Sequence, residues 1–229
     1  MTGSTTCRKS SLSQLWVFST GSYTWHQVHY EFTGNNVMKN KEIEGVLEFL
    51  RGAEQLKNTL RTARTSNGRH ESTAEHTWRL CLMVMMFSEQ YSHIDSLKLI
   101  KMCIIHDLGE AIGGDIAAID QVAGSNKGEQ GRQDLITLIA PLPDKLQQDI
   151  LVLWDDYENA SSEEAKLTKA LDKIETLLQH TQGQNPDNFD YGFNLSYGRK
   201  YTDSDELTAS VRAIIDKDTE ALASANNTL

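Results

Sequence analysis

Long apolar runs are missing from this chain of 229 residues. No stretch approaches the ~18 consecutive apolar residues that a membrane-spanning helix requires, and the N-terminus has no clear apolar core followed by a cleavage site, so no signal peptide is expected. Cysteine is scarce: Cys7, Cys81 and Cys103 are an odd number with no C-x-x-C pair, which excludes a disulfide framework and a zinc ribbon. Cys81 and Cys103 lie within apolar runs and are expected as buried free thiols, which fits a reducing cytoplasm. Positive charge is also short, with 22 Lys and Arg against 32 Asp and Glu and a net charge of −10. A surface that acidic argues against duplex nucleic acid as the main partner. It leaves room for a small phosphorylated ligand, because a metal and one or two arginines can reverse the field locally. Only three prolines interrupt the chain, and strand signals are nearly absent after residue 37.

What is present is a single helical pattern long enough for one domain with a sizeable core. Residues 1–37 stand apart as an extension of unassigned role. They are rich in Ser, Thr and Gly, with partly alternating aromatics from Trp16 to Phe32, and read as two short strands around Thr20-Gly21-Ser22. His26 and His29 in that segment would face opposite sides of a strand. From Met38 to Leu229 the chain reads as an all-α domain. A helix over 40–58 carries Ile43, Val46, Leu47, Leu50 and Ala53 on one stripe, and Ser66-Asn67-Gly68 marks a loop. Ser72-Thr73-Ala74-Glu75 is a capping box opening the next helix, which gives Glu75 a structural task. Leu80 to Phe87 is apolar nearly all round, so that helix is expected to be central, with Trp78 in the core. Further helices are expected over 96–106, 126–140 and 144–158, from a capping box at Ser161–Glu164 to about His180, and over 203–223. Residues 183–198 read as loop.

Polar residues that recur inside apolar helices carry the functional signal. His76 shares a helix face with Leu80, Met83 and Phe87, a place for either a satisfied core histidine or a ligand. His106-Asp107 closes an apolar helix, followed by Leu108-Gly109-Glu110-Ala111-Ile112-Gly113-Gly114-Asp115. Successive helical residues diverge by ~100°, so His106 and Asp107 meet at one ion only where the helix ends or bends, and the glycines allow that bend. Glu110, four residues on, faces the same way if one more turn persists.

The ordered set Glu75-His76, His106-Asp107-Leu108-Gly109-Glu110, Gly114-Asp115 and Ala170-Leu171-Asp172-Lys173, spread over roughly residues 45–200, resembles the HD-domain metal-dependent phosphohydrolases, whose signature is H…HD…D. The resemblance adds Asp172 as a ligand; periodicity alone turns it toward solvent, off the stripe of Leu167, Leu171, Ile174 and Leu178. His76, His106, Asp107 and Asp172 then form a mixed nitrogen and oxygen set suited to Mn, Fe, Co, Ni or Zn, with Mg also admissible. Four protein ligands leave room for water and a substrate oxygen, as metal-assisted hydrolysis requires.

Within that family the chain looks most like the small single-domain branch that includes the 5′-deoxynucleotidases, and small domains of this branch tend to form homodimers. The resemblance implies that Arg61, fifteen residues before His76, grips phosphate; the other reading is a surface arginine beside Arg64 and Arg69. It makes Glu110 the candidate general acid or base and Asp115 a catalytic-site acid that helps hold the sugar and select against a 2′-hydroxyl. It also expects a tryptophan directly after the arginine, where this chain has Thr62, so stacking from that position is absent. The expected activity is release of phosphate from a nucleoside or deoxynucleoside 5′-monophosphate or a similar small phosphomonoester. The alternatives are another nucleotide substrate of the family (a triphosphate, a phosphodiester or an alarmone), or a metal- or nucleotide-binding module without turnover.

Overall fold

The computed structural model describes residues 37–120 and 127–226. The strands and histidines expected within 1–36 lie outside these residues. The chain divides into two units, 1–39 and 40–229, and the second carries the elements that follow. In order they are α1 (Asn40–Ala53), a 3-10 turn at Glu54–Lys57, β1 (Leu60–Arg64), β2 (His70–Ser72), α2 (Thr73–Phe87), α3 (Ser96–Ile105), α4 (Glu110–Gly113), α5 (Lys127–Ile139), α6 (Asp144–Asn159), α7 (Glu163–Gln182), α8 (Tyr191–Ser196), α9 (Arg199–Thr202) and α10 (Glu206–Asn226). No helix among the described residues is long and apolar enough to cross a membrane.

Helix starts follow the capping chemistry. Ser72 accepts from Glu75 N while Glu75 returns to Ser72 N, the reciprocal capping box expected there. Asp95 caps α3 by accepting from Leu97 N and Lys98 N. At α7 the expected box is off by one residue. Ser162, not Ser161, accepts from Ala165 N, because the Asp156 carboxylate takes both the N–H and the hydroxyl of Ser162.

Two hydrophobic clusters meet along α3. One gathers Leu56, Ile105, Leu108, Leu135, Ile139, Leu142 and Trp154; the other gathers Leu80, Val84, Leu99, Cys103, Leu171, Ile174, Leu177 and Ile215. The central helix is α7, not α2. Buried residues circle α7 and include Thr168, Lys169, Leu171, Asp172, Ile174, Glu175 and Thr176. On α2 only Thr73, His76, Leu80 and Val84 are buried, and Trp78 is 63 % exposed on a stripe with Leu82, Met85 and Met86. Apolar composition all round a helix therefore did not mean burial all round. The stripe expected on α1 is divided too: Val46 and Ala53 pack on the core with Phe49, while Ile43, Leu47 and Leu50 are exposed.

Two further expectations are corrected. Residues 60–72 form a short antiparallel hairpin where strand signals were nearly absent, turning through the expected loop at Ser66-Asn67-Gly68 with Gly68 at φ +83. Its strands are only five and three residues long, too short to show alternation. Gln179 Nε2 donates to Arg64 O at 2.6 Å and ties the hairpin to α7. Likewise 183–198 contains α8, capped by Asp190. The guanidinium of Arg212 in α10, 1 % exposed, holds α8 by donating to Asn194 O and Tyr197 O, each at 2.7 Å, and pairs with Asp216 at 2.6 Å. Arg212→Ala is expected to lower unfolding free energy by about 3–5 kcal/mol in urea titration, and a loss below about 1 kcal/mol would show that this buried network is not what secures α8.

Candidate metal centre and its cavity

Three helices bring the signature side chains together. His76 stands on the buried face of α2, His106 and Asp107 follow the last turn of α3, and Asp172 comes from the middle of α7. After α3 the chain makes a turn, enters the short α4 and leaves it at Gly114, φ +77. That bend lets the adjacent His106 and Asp107 point to one place. His106 Nε2 lies 3.0 Å from Asp107 Oδ2 and 4.0 Å from Asp172 Oδ1, while His76 Nε2 lies 3.2 Å from Asp172 Oδ1 and 3.8 Å from Asp107 Oδ2. Asp172 is buried because α7 is covered on all sides, which overrides the outward placement that periodicity gives it.

The fit to a cation follows from what is left over. Both Nε2 atoms are buried, and neither makes an aligned hydrogen bond despite the carboxylates beside it. Both Nδ1 atoms are engaged elsewhere, His106 with Cys103 O at 2.7 Å and His76 with a Glu175 carboxylate oxygen. Asp172 Oδ2 accepts from Tyr157 at 2.9 Å and Lys173 at 2.8 Å, which leaves Oδ1 toward the imidazoles. Two imidazole nitrogens without hydrogen-bond partners thus converge with two carboxylate oxygens, a donor set that suits a divalent transition ion.

Electrostatics agree. Burial and Arg61 oppose protonation of His76, but Glu175 and Asp172 outweigh them and push it up to about 9. Burial also works against a charge on Asp172, yet Lys173 and the two imidazoles hold it well below the usual carboxylate range. Glu110 goes the other way. Burial, reinforced by Asp107 and Asp115, pushes it up to about 9, only partly opposed by the hydrogen bond from Thr73 Oγ1 at 2.9 Å.

The centre opens into a cavity of about 1030 Å³ lined by Arg61, Thr62, Glu110, Asp115, Lys169, Lys173, Thr176, Phe189, Phe193, Tyr197 and Tyr201, among others. Arg61, on β1, lies in this cavity and not on an outer basic surface; its Nη1 is 3.9 Å from Asp107 Oδ2 and its Nη2 donates to Thr176 at 3.0 Å. All seven candidate residues therefore belong to one site: Arg61, His76, His106, Asp107, Glu110, Asp115 and Asp172. Glu75 stays outside, paired with Arg69 at 2.6 Å. Sequence reasoning missed Arg79, Tyr157 and Glu175. The available signal was charge inside apolar windows, Arg79 three residues after His76 and Glu175 three after Asp172.

A family model described as HD domain matches residues 53–212. The chain belongs to the HD domain family. Among HD relatives, the 5′-deoxynucleotidase HDDC2 of Bos taurus is 31% identical over 153 residues, covering 66% of this chain and 74% of its own length. The 5′-deoxynucleotidase YBR242W of Saccharomyces cerevisiae is 32% identical over 143 residues, 58% of each chain. Among solved structures, one titled a predicted metal-dependent phosphohydrolase from Magnetospirillum magnetotacticum shares the HD fold at a TM-score of 0.67 and 22% identity, covering 80% of this chain and 96% of that one.

Because a ligating imidazole must lose its proton, cation uptake by the metal-free HD site should release close to one proton at pH 7 from His76. Below pH 9 that proton competes with the ion, so affinity should fall roughly tenfold per pH unit. Calorimetry in buffers of different ionisation enthalpy reads both quantities; uptake without proton release would show that His76 is already neutral in the metal-free site.

Proposed function

We propose that this chain removes phosphate from nucleoside 5′-monophosphates, with deoxynucleotides as the first class to test. It is a metal-dependent phosphohydrolase. The observation that carries the reading is the convergence of His76 with His106, Asp107 and Asp172, the last three lining a cavity that Arg61 also lines. The 5′-deoxynucleotidase names of its relatives support the substrate class.

In this reading the imidazoles of His76 and His106 and the carboxylates of Asp107 and Asp172 would hold one divalent ion, which would supply Lewis acidity toward a phosphoryl oxygen and lower the pKa of water. Arg61, fixed by Thr176 and drawn toward Asp107, binds and orients the phosphate and offsets its charge. Burial beside Asp107 and Asp115 favours the protonated form of Glu110, which suits it to act as the acid that protonates the departing 5′-oxygen. Thr73 holds it there by donating to Oε2, and Thr59 donates to its backbone carbonyl at 3.2 Å. Asp115 lines the same cavity and is assigned to the sugar. With Thr62 in place of a tryptophan, base stacking falls to the rings that line the cavity, Phe189, Phe193, Tyr197 and Tyr201. Residues 1–37 remain, in this reading, an extension appended to the domain that begins at Met38. The free thiols of Cys81 and Cys103 support a reducing compartment, the cytoplasm. The exposed stripe of Trp78, Leu82, Met85 and Met86 supports pairing of two copies, which sedimentation would discard by finding only monomer at micromolar concentration.

The test is phosphate release from deoxy- and ribonucleoside monophosphates with Mn²⁺, Co²⁺ or Mg²⁺ against a chelated control. Release from monophosphates, lost in Asp107→Ala together with metal binding, is the expected result. Release only from triphosphates or diesters, or nucleotide binding without turnover, would replace the reading. Glu110→Gln is expected to lower kcat by about 10²–10⁴-fold on nucleotides and much less on an aryl phosphate, whose leaving group needs no proton; an equal loss on both would remove Glu110 as the acid.

A further inference from the structure

We propose that Glu175, clamped by Arg79, is the positioning residue that fixes His76 as a metal ligand and sets the affinity of the centre; this rests on the metal-centre reading above. Glu175 is fully buried, and a buried carboxylate is retained only when it is paired. One of its oxygens meets His76 Nδ1, and the other accepts from Arg79 Nε at 2.6 Å. Arg79 Nη1 then donates to Gln182 Oε1 at 2.9 Å, and its side chain is 23 % exposed, so the relay runs from the ring to the surface.

A ring that donates from Nδ1 to a carboxylate presents the Nε2 lone pair, and Nε2 is the nitrogen that faces Asp107 and Asp172. The partner histidine is held differently: His106 Nδ1 meets a neutral acceptor, Cys103 O. The two imidazoles are therefore unequal. His76 is backed by a full negative charge, which raises its basicity as a ligand. Glu71 also lies close to His76 and Glu175. On that side the carboxylates face cations of the chain: Arg61 Nε is 3.5 Å from Glu71 Oε2, and Arg79 pairs with Glu175.

The full chain, stripped of metal, is titrated with Mn²⁺ against a competing chelator. Glu175→Gln is expected to raise Kd by roughly 10–100-fold, Arg79→Gln by less, and saturating Mn²⁺ should restore most of kcat in both, which a collapsed fold would not allow. A folded Glu175→Gln protein with the wild-type Kd would overturn the proposal. If that variant does not fold, the wild type decides: in the Zn²⁺-loaded chain, the nitrogen spectrum of His76 must show the proton on Nδ1, and a proton on Nε2 refutes it. A wild-type chain that takes up no divalent ion would instead overturn the metal-centre reading itself.

Discussion

Like charge in a small space is the constraint on which the site depends. Asp107, Asp172, Glu110 and Asp115 line the cavity, and Glu71 and Glu175 gather around His76. Two carboxylates ~4 Å apart repel by roughly 4 kcal/mol at an effective dielectric constant of about 20, so several cannot stay ionised there without compensation. Arg61 lies beside Asp107 and Glu71, Lys173 against Asp172, and Arg79 against Glu175. Glu110 escapes the repulsion by keeping its proton. The two buried Nε2 atoms of His76 and His106 beside Asp107 and Asp172 have no hydrogen-bond partner, and in the proposed reading a divalent ion would complete the balance there.

The surrounding packing makes that arrangement stiff. The end of α3 lies where the two hydrophobic clusters meet, with Ile105 in one and Cys103 in the other, so His106 and Asp107 start from a backbone that cannot shift without disturbing both. Trp154 Nε1 donates to His106 O at 3.2 Å and secures the turn that follows. Gly109, at the start of α4, lies against Gly131 of α5; a Cβ there would meet Gly131 O at 2.7 Å. That close approach sets α4, and Glu110 with it, beside the centre. Ligands carried on helices whose positions are fixed by packing keep their geometry without help from the ion.

Much of this was legible in the sequence because its causes are local. The capping box at Ser72, the break after His106-Asp107 and the His76 face depend on residues within a turn or two of each other. Asp172 was not legible from periodicity, because one helix's own stripe says nothing about a second layer packed on its other side. Trp78 failed for the converse reason: an apolar residue is buried only if another element covers it. Arg61 read as either a surface or a site residue because its orientation is set by a hairpin too short to show a pattern. Glu175 and Arg79 stand on different helices, and no spacing along the chain announces that they meet.

The central place of α7 concentrates dissimilar tasks on one rigid rod. Asp172 faces His76 and His106, Glu175 backs His76, Thr176 holds Arg61, and Lys169 and Lys173 line the cavity. These residues are phased by the helical repeat alone, at ~100° per residue. A point substitution removes one task, but insertion or deletion of a single residue between Lys169 and Thr176 would turn part of the set by ~100° relative to the rest and disturb the contacts to His76, Arg61 and the cavity together. A change of length in the loops that line the cavity, around residues 115–119 and 186–190, would leave that register untouched.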